Sequence, residues 1–127
     1  MSVWSMIRDG RAAAALAVCQ AVGVVIELVH EGSTVSGLAA LPNGEARDDD
    51  RDATAGKAFG TTVERTFRLP RQDGFTGAVR PGDVVVYPAG GATKYVVRSW
   101  DCDAYEAVYR LRTTRLASPV GLLGNRR

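Results

Sequence analysis

The second half of the chain alternates apolar and polar positions with a period of two. In the segment 61–70, Val63, Phe67 and Leu69 fall on one face while charged residues fall on the other. Successive side chains of a strand point to opposite faces, so this pattern is typical of a strand that is buried on one side. Comparable segments follow at 84–87, 94–100 and 107–113, separated by turn sequences that contain glycine and proline. The pattern predicts a small antiparallel sheet over residues 61–116.

The first forty residues indicate a helix followed by a hairpin. A run of alanines, which have the highest helix propensity, lies behind two serines suited to an N-cap, and together they predict a helix over residues 2–20. From residue 22 the chain becomes rich in β-branched residues, and Val24, Ile26 and Leu28 alternate against their neighbours. A turn and a weaker strand follow, so residues 22–41 predict a hairpin.

Residues 42–60 differ in composition from the rest of the chain. The segment contains several glycines and only one large apolar residue, Phe59, which leaves no core to bury. It predicts an exposed acidic loop, and loops of that length inside a compact domain are usually functional or disordered. The acidic residues of this predicted loop are Glu45, Asp48, Asp49, Asp50 and Asp52.

The predicted sheet is followed by a short tail, residues 117–127. The tail is too short to fold alone, yet it carries the apolar residues Val120, Leu122 and Leu123. We expect it either to dock on a neighbouring subunit or ring, becoming ordered on assembly, or to remain a frayed terminus.

Length and composition indicate one globular domain. A chain of 127 residues buries enough surface for its own core. Its apolar content of 46% is near the average of globular proteins, which argues against wholesale disorder. The net charge is only +2, from sixteen basic and fourteen acidic residues, and this balance is too even to indicate nucleic-acid binding from bulk charge.

A local nucleic-acid platform is also weakly supported. Arginines combined with exposed aromatic rings suit single-stranded nucleic acid, and the predicted sheet contains both types. The candidates are Arg98, Arg110 and Arg112 with Tyr95, Trp100, Tyr105 and Tyr109. However, Tyr109 has the opposite parity to Arg110 and Arg112, so at least some of the aromatic side chains point to the core.

No residue pattern indicates catalysis or a metal centre. The two cysteines, Cys19 and Cys102, lack CxxC spacing, and the single histidine, His30, has no plausible partner nearby in the sequence. The aspartates of the predicted loop lack the ligand spacing of a calcium-binding EF-hand. We therefore expect no metal, no cofactor and no enzymatic activity, and two free thiols in a reducing compartment.

The alanine-rich segment 12–29 is not expected to cross a membrane. Gln20 and Glu27 interrupt it, whereas a bilayer requires about 18–20 consecutive apolar residues. Arginines precede the segment as in a secretory signal, but Asp9 lies among them and no clear cleavage site follows. A cytosolic product without membrane association is expected.

The order of these pieces resembles a known family of viral proteins. A strand at 64–70 is followed by the turn Arg80-Pro81-Gly82-Asp83, a strand at 94–97, the isolated Trp100 and a last strand within 104–113. This order resembles the small head-to-tail joining proteins of tailed bacteriophages, also called head closure, stopper or neck proteins. In that family an R-x-G-D turn precedes a strand, a Y-x-V strand and an aromatic residue follow, and the final strand ends near L-R-x-x-T. The resemblance covers residues 61–116 and is weak before them.

The resemblance implies a mainly β fold: a small antiparallel β-barrel or sandwich with an N-terminal helix and a long polar loop. It implies a structural virion protein without catalysis or cofactors. Such proteins form a homo-oligomeric ring, commonly of six copies, that closes the DNA-filled head and joins it to the tail. The implied partners are portal or adaptor proteins above the ring, tail proteins below it and packaged DNA nearby. The chain would be made in the host cytoplasm and would end in the neck of the virion.

In some members of that family, a long loop between early strands projects into the channel and blocks DNA exit. The matching positions here are 43–60. A ring would then concentrate the acidic residues of this loop around its lumen, and their charge would repel the DNA backbone.

Other interpretations stay open. The same features fit a tail terminator or another minor virion protein, such as a capsid cement. They also fit a non-viral binding module with an SH3-like or similar barrel. Oligomeric state separates these possibilities, because a free-standing module is expected to be monomeric whereas a neck protein is expected to form rings or to join them on a portal complex.

Overall fold

A computed structural model describes the backbone of residues 2–47 and 62–116 and the side chains of residues 2–45 and 62–115. Within these ranges one helix is followed by seven strands. The elements are α1 Val3–Val22, β1 Val24–His30, β2 Ser33–Pro42, β3 Ala46–Arg47, β4 Thr62–Pro70, β5 Val84–Val86, β6 Lys94–Cys102 and β7 Val108–Leu116.

Six of these strands close into an antiparallel barrel. They are hydrogen-bonded in the order β2–β1–β5–β6–β7–β4, and β4 returns to β2 through two residue pairs, Leu41–Arg68 and Pro42–Phe67. This closing seam is short, whereas β4 and β7 pair along their full lengths. The short strand β3 extends the sheet beyond β4. Closure of the barrel removes most of the unpaired strand edges through which isolated sheets aggregate.

Helix α1 begins at a serine cap and ends at a glycine. The hydroxyl of Ser2 accepts a hydrogen bond from the backbone N–H of Ser5 at 3.0 Å, which satisfies one of the free N–H groups of the first turn. At the other end, a Cβ on Gly23 would overlap the carbonyl oxygen of Ala40 in β2. The close approach of the helix end to β2 therefore requires glycine at this position.

The helix packs on the barrel beside the closing seam, against β2, β4 and β7. Its two buried residues, Ala12 and Cys19, have small side chains. Small side chains allow the helix axis to lie close to the strands, but they bury little apolar surface. The buried part of this contact is therefore narrow, and it is extended by contacts of Trp4 and Arg11 with Tyr105 and by the ion pair of Arg11 with Asp103.

The core fills the inside of the barrel. Phe67 lies at its centre and packs edge-on against Tyr95 and Tyr87, with ring centroids 5.4 Å and 5.8 Å apart. Phe75, from the connection after β4, packs edge-on against Tyr109 at 5.2 Å. The aliphatic members of the core are Ile26, Leu28, Leu38, Ala40, Leu69, Val79, Val85, Val97 and Leu111.

A buried aspartate holds the turn that leads into β5. The carboxylate of Asp83 accepts a hydrogen bond from the backbone N–H of Arg80 at 2.9 Å, and it lies 2.6 Å from the Nδ1 atom of His30 at the end of β1. Gly82 in the same turn has a φ of 99°, a conformation that glycine adopts without strain. The single histidine is therefore paired with a residue distant in the sequence, because β1 and β5 are neighbours in the barrel.

The predicted fold class is confirmed: the protein is mainly β, with a closed antiparallel barrel and one N-terminal helix. Element boundaries differ by a few residues. The helix extends to Val22 instead of residue 20, and the strands of the predicted hairpin occupy 24–30 and 33–42. The predicted exposed loop also begins later than residue 42, because Pro42 ends β2 and Ala46–Arg47 pair with β4.

Candidate functional site: the base of the acidic segment and the exposed side of the helix

Glu45 lies at the point where the acidic segment leaves the barrel. Its carboxylate accepts two hydrogen bonds from Arg115 at the end of β7, from Nε at 2.9 Å and from Nη2 at 3.0 Å. The hydroxyl of Tyr95 donates a third hydrogen bond at 2.6 Å. Glu45 therefore joins the start of the segment to β6 and β7, and it does not project freely into solvent as the other acidic residues of the segment were expected to do.

Arg65 completes this cluster from the adjacent strand β4. Its Nε donates to the backbone carbonyl of Asn43 at 2.7 Å, and its Nη1 donates to the Tyr95 hydroxyl at 3.1 Å. The guanidinium also lies over the ring of Tyr87, 4.9 Å from its centroid, at cation–π distance. We call Glu45, Arg65, Tyr87, Tyr95 and Arg115 the anchor cluster.

The anchor cluster favours the ionised carboxylate. Hydrogen bonds from Arg115, the largest contribution, and from Tyr95 hold the pKa of Glu45 below its ordinary value, although partial burial acts in the opposite direction. An ionised Glu45 between two guanidinium groups is locally neutralised. Its charge consequently contributes little to any repulsion that the acidic segment exerts on a polyanion.

Two undescribed segments are attached at the same end of the barrel. Arg47, after which the first segment begins, pairs with Val63 of β4. Thr62, where that segment ends, pairs with Leu116, after which the tail begins. Paired strands lie about 4.8 Å apart, so Thr62 is within a few ångströms of Leu116, and Arg47 lies one strand further away, on the other side of β4.

The side of α1 that faces away from the barrel is apolar. We call the large apolar residues of this surface, together, the exposed side of α1; they are Val3, Met6, Ile7, Val18 and Val22, with exposed fractions of 71%, 58%, 38%, 51% and 70%. Gly10 and the alanines at 13, 14, 17 and 21 fall on the same side at 3.6 residues per turn. A surface helix normally turns its apolar stripe toward the core, so the large apolar residues on the outer side of α1 set it apart from an ordinary surface helix.

A group of arginines covers the outer face of β4 and β7. Arg68 and Arg110 lie directly opposite each other in the register of these strands, and Arg112 lies two residues further along β7. Asp101 of β6 pairs with both Arg110, at 3.2 Å, and Arg112, at 2.9 Å. Hydrogen bonds from Arg110, the largest contribution, and the charge of Arg112 lower the pKa of Asp101. One carboxylate serves two arginines, so this face stays positively charged.

The aromatic residues do not join these arginines in a stacking platform. Tyr95 and Tyr109 lie inside the barrel, with exposed fractions of 2% and 4%. Trp100 is partly exposed, but it packs against the ring of Tyr109 with a centroid distance of 5.5 Å. The single-strand platform considered for this sheet is therefore not formed by the tyrosines of β6 and β7.

Both thiols are free and poorly disposed to react. Burial raises the pKa of Cys19, against the opposing charge of Arg68. Burial also raises the pKa of Cys102, and the nearby carboxylates, that of Glu106 first, raise it further. A raised pKa keeps a thiol protonated at neutral pH, and the protonated form is a weak nucleophile.

The side chains of residues 2–45 and 62–115 bring together no group of three or more histidine, cysteine or acidic residues able to hold a metal ion. In the part of the chain that is described, no helix combines the length and the apolar character needed to span a bilayer.

The structure places only part of the predicted site residues. Among the acidic candidates for a channel loop, Glu45 is in the anchor cluster. Asp48, Asp49, Asp50 and Asp52, and the tail candidates Val120, Leu122 and Leu123, lie outside the described residues. Two features were not found from the sequence: the anchor cluster, whose members come from five separate strands or connections, and the exposed side of α1, since the helix showed no clean apolar stripe.

No protein-family model, curated protein or solved structure matches this chain.

Proposed function

We propose that this protein is a structural subunit of the neck of a tailed bacteriophage, and that it forms a homo-oligomeric ring that closes the DNA-filled head and joins it to the tail. The observation that carries the proposal is the exposed side of α1. A helix that exposes five large apolar residues on the side facing away from its own barrel would be completed by a neighbouring molecule.

The physical cost of leaving this surface uncovered supports assembly. Apolar surface gains about 25 cal/mol for each Å² removed from water, and five large apolar side chains are exposed along one side of α1. Soluble monomers rarely keep such patches unless they are binding sites.

The acidic segment fits the lumen of such a ring. Segment 48–61 contains four aspartates against Arg51 and Lys57, so it is net negative. In a ring, each copy adds this charge, and a negatively lined channel repels the phosphate backbone and keeps DNA from adhering during ejection. The anchor cluster fixes the point from which every copy would present its segment, because Glu45 ties the segment base to β6 and β7.

Assembly is tested first in solution. The chain, expressed alone and then with the portal complex of its phage, is examined by sedimentation velocity and negative-stain electron microscopy. We expect ring-shaped particles of a defined number of copies, or rings completed on the portal. A protein that stays monomeric under both conditions would be a free-standing binding module and not a neck subunit.

The role of segment 48–61 is tested in assembled phage particles. A variant that lacks residues 48–58 keeps Glu45 and β3, so its barrel and ring are expected to form normally. Particles built with this variant are expected to lose DNA after packaging, measured as nuclease-sensitive genome. A matched variant replaces the same residues by an uncharged Gly/Ser segment of equal length and separates the effect of charge from that of bulk. Normal genome retention in both variants would refute the gating role.

A further inference from the structure

A small apolar cleft lies between α1 and the barrel wall, beside the closing seam. Its volume is about 150 Å³, the size of a cavity that holds a benzene-sized group. Leu41 and Arg68, which form one of the two residue pairs of the seam, line it from the barrel side. We call it the helix cleft; its other lining residues are Ala15, Val18 and Cys19 of α1 and Val108 of β7. The described residues that line it all come from one copy, so its formation does not require assembly into a ring.

Arg68 carries a positive charge at the edge of the helix cleft. Its side chain is exposed, and among residues 2–45 and 62–115 it has no hydrogen-bond or ion-pair partner. A second guanidinium, that of Arg110, lies directly across the β4–β7 register, and like charges that face each other across paired strands are destabilising. Arg110 is held by Asp101 through two hydrogen bonds of 3.2 Å. Arg68 therefore offers a free guanidinium fork, whose geometry suits a carboxylate that accepts two parallel hydrogen bonds.

A larger polar groove adjoins the helix cleft. The polar groove has a volume of about 480 Å³ and shares Arg68 and Val108 with the helix cleft. Its two acidic residues are already bonded, Asp101 to two arginines and Asp103 to Arg11 and to two backbone N–H groups. Among the described charged residues that line the two spaces, Arg68 alone is thus left without a partner.

We propose that the helix cleft and Arg68 bind the C-terminal residue of a partner polypeptide whose last side chain is apolar. The apolar side chain enters the helix cleft, the terminal carboxylate pairs with Arg68, and the preceding residues lie along the polar groove. Capture of a chain end by its carboxylate is a recurring mode of peptide recognition. The inference goes beyond the proposed neck function, and its test does not depend on ring formation because the site lies within one copy.

The arrangement favours a chain end over other anions. Because Arg68 is part of the cleft wall, a ligand must place an apolar group directly beside its negative charge. An acidic side chain has no such group, and neither has a phosphate of a nucleic-acid backbone. A cavity of about 150 Å³ is also too small for the chain of a long fatty acid. A terminal leucine, methionine or phenylalanine meets both requirements, since its carboxylate and its apolar side chain are attached to the same carbon atom.

A peptide titration measures this binding directly. The full chain, isotope-labelled, is titrated with an N-acetylated tetrapeptide that ends in leucine, and binding is followed by nuclear magnetic resonance. We expect a dissociation constant of about 1 mM or below, with shifts in the methyl signals of Leu41 and Val108 and in the Nε–H signal of Arg68. The same peptide with a C-terminal amide keeps the apolar side chain but lacks the charge, and it is expected to bind at least about tenfold more weakly.

Two substitutions separate the two parts of the site. Arg68→Gln removes the guanidinium and is expected to weaken peptide binding by about ten- to a hundredfold, whereas Ala15→Leu fills the helix cleft and is expected to abolish binding. Arg98→Gln is the matched charge control, because Arg98 is an exposed arginine of β6 that donates to the Thr114 hydroxyl and lies outside both spaces. Ala14→Leu adds the same side chain at an exposed position of α1. Both controls are expected to bind like the wild type, and circular dichroism shows whether each variant is folded.

Free isocaproate, which is leucine without its amino group, distinguishes a chain end from a small organic acid. It has the same carboxylate and apolar group, and it is expected to bind several-fold more weakly than the peptide because it leaves the polar groove empty. Equal or tighter binding of isocaproate would overturn the assignment to a chain end. Equal binding of the peptide amide, unchanged binding by Arg68→Gln, or an absence of shifts at about 5 mM peptide would overturn it as well. None of these outcomes bears on the neck function, which is tested by ring formation.

Discussion

Replacing Glu45 by glutamine tests whether the anchor cluster stabilises the barrel. The substitution keeps the shape of the side chain and removes its negative charge. In the wild type, the carboxylate accepts two hydrogen bonds from Arg115 and one from Tyr95, while the Nη1 atom of Arg65 lies 3.8 Å away. A glutamine offers only one acceptor oxygen, and its amide N–H₂ group faces the same donors.

The expected loss of folding stability lies between the values for hydrogen bonds to charged groups and those for exposed ion pairs. Hydrogen bonds to charged groups contribute about 1.5–3 kcal/mol, whereas fully exposed ion pairs contribute about 0–1 kcal/mol. The Glu45 side chain is 28% exposed and those of Arg65 and Arg115 are 18% and 23% exposed, so the cluster is mostly shielded. We expect Glu45→Gln to lower the free energy of unfolding by about 2 kcal/mol, which for a domain of this size lowers the Tm by about 6–10 °C.

The effect of the substitution depends on pH in a defined direction. The pKa of Glu45 is lower in the folded protein than in the unfolded chain. Its contribution to stability is therefore fully present above the unfolded-state pKa of about 4.3, and it is lost as the pH falls through the folded-state value. The wild type and Glu45→Gln should differ by a constant amount from pH 5 to pH 8, and the difference should shrink progressively as the pH falls below about 4.3.

Urea unfolding followed by far-ultraviolet circular dichroism at several pH values measures both effects. Asp101→Asn is the matched control, because Asp101 also pairs with two arginines, Arg110 and Arg112, but it does so on the exposed outer face of the barrel. Asp101→Asn should lower the free energy of unfolding clearly less than Glu45→Gln does. The reasoning is refuted if Glu45→Gln unfolds at the wild-type urea concentration at pH 7, or if its deficit persists unchanged at pH 3.

Three further predictions concern the core, the helix and the thiols. Phe67→Ala removes a fully buried ring that contacts two tyrosines, and it should lower the free energy of unfolding by about 3–5 kcal/mol in urea titrations; a loss under 1 kcal/mol would place the core elsewhere. Gly10→Ala, in open space within α1, should raise the free energy of unfolding by about 0.5–1 kcal/mol. Gly23→Ala should lower it by about 1–3 kcal/mol, because the added Cβ overlaps backbone atoms. Equal effects of the two substitutions would contradict this reasoning. Cys19 and Cys102 should react with a thiol reagent at pH 7.5 more slowly than free cysteine, as their raised pKa values require, and the rate should rise on unfolding.

The sequence was sufficient to predict a mainly β fold, a barrel or a sandwich, because its strands are locally marked. Val63, Phe67 and Leu69 alternate with charged residues, and all three are fully buried in β4. The helix was also predicted, because alanine propensity and a serine cap are local signals. The alternation of apolar and polar residues could not show that the sheet closes into a barrel. The seam between β2 and β4 consists of two residue pairs, and no sequence pattern marks them.

The candidate site was less predictable because its contacts join distant parts of the chain. Glu45 was grouped with the aspartates that follow it, since composition does not distinguish an acid at the base of a segment from one within it. Its partners Tyr95 and Arg115 lie 50 and 70 residues away and reach it only through the barrel register. His30 and Asp83 meet in the same way across β1 and β5. Assembly is proposed to depend on the exposed side of α1. In the sequence, this part of the chain showed only a largely apolar helix, with no pattern to tell which side packs on the barrel.

The attachment points of segment 48–61 and tail 117–127 lie together at one end of the barrel, marked by the pairs Arg47–Val63 and Thr62–Leu116. The exposed side of α1 lies instead on the barrel wall, where the helix packs on β2, β4 and β7. In the proposed ring, lateral contacts that repeat around an axis would give every copy the same orientation. All copies would then present the end that carries the attachment points in the same direction relative to the axis, and this end would stay available for a partner other than the neighbouring subunits.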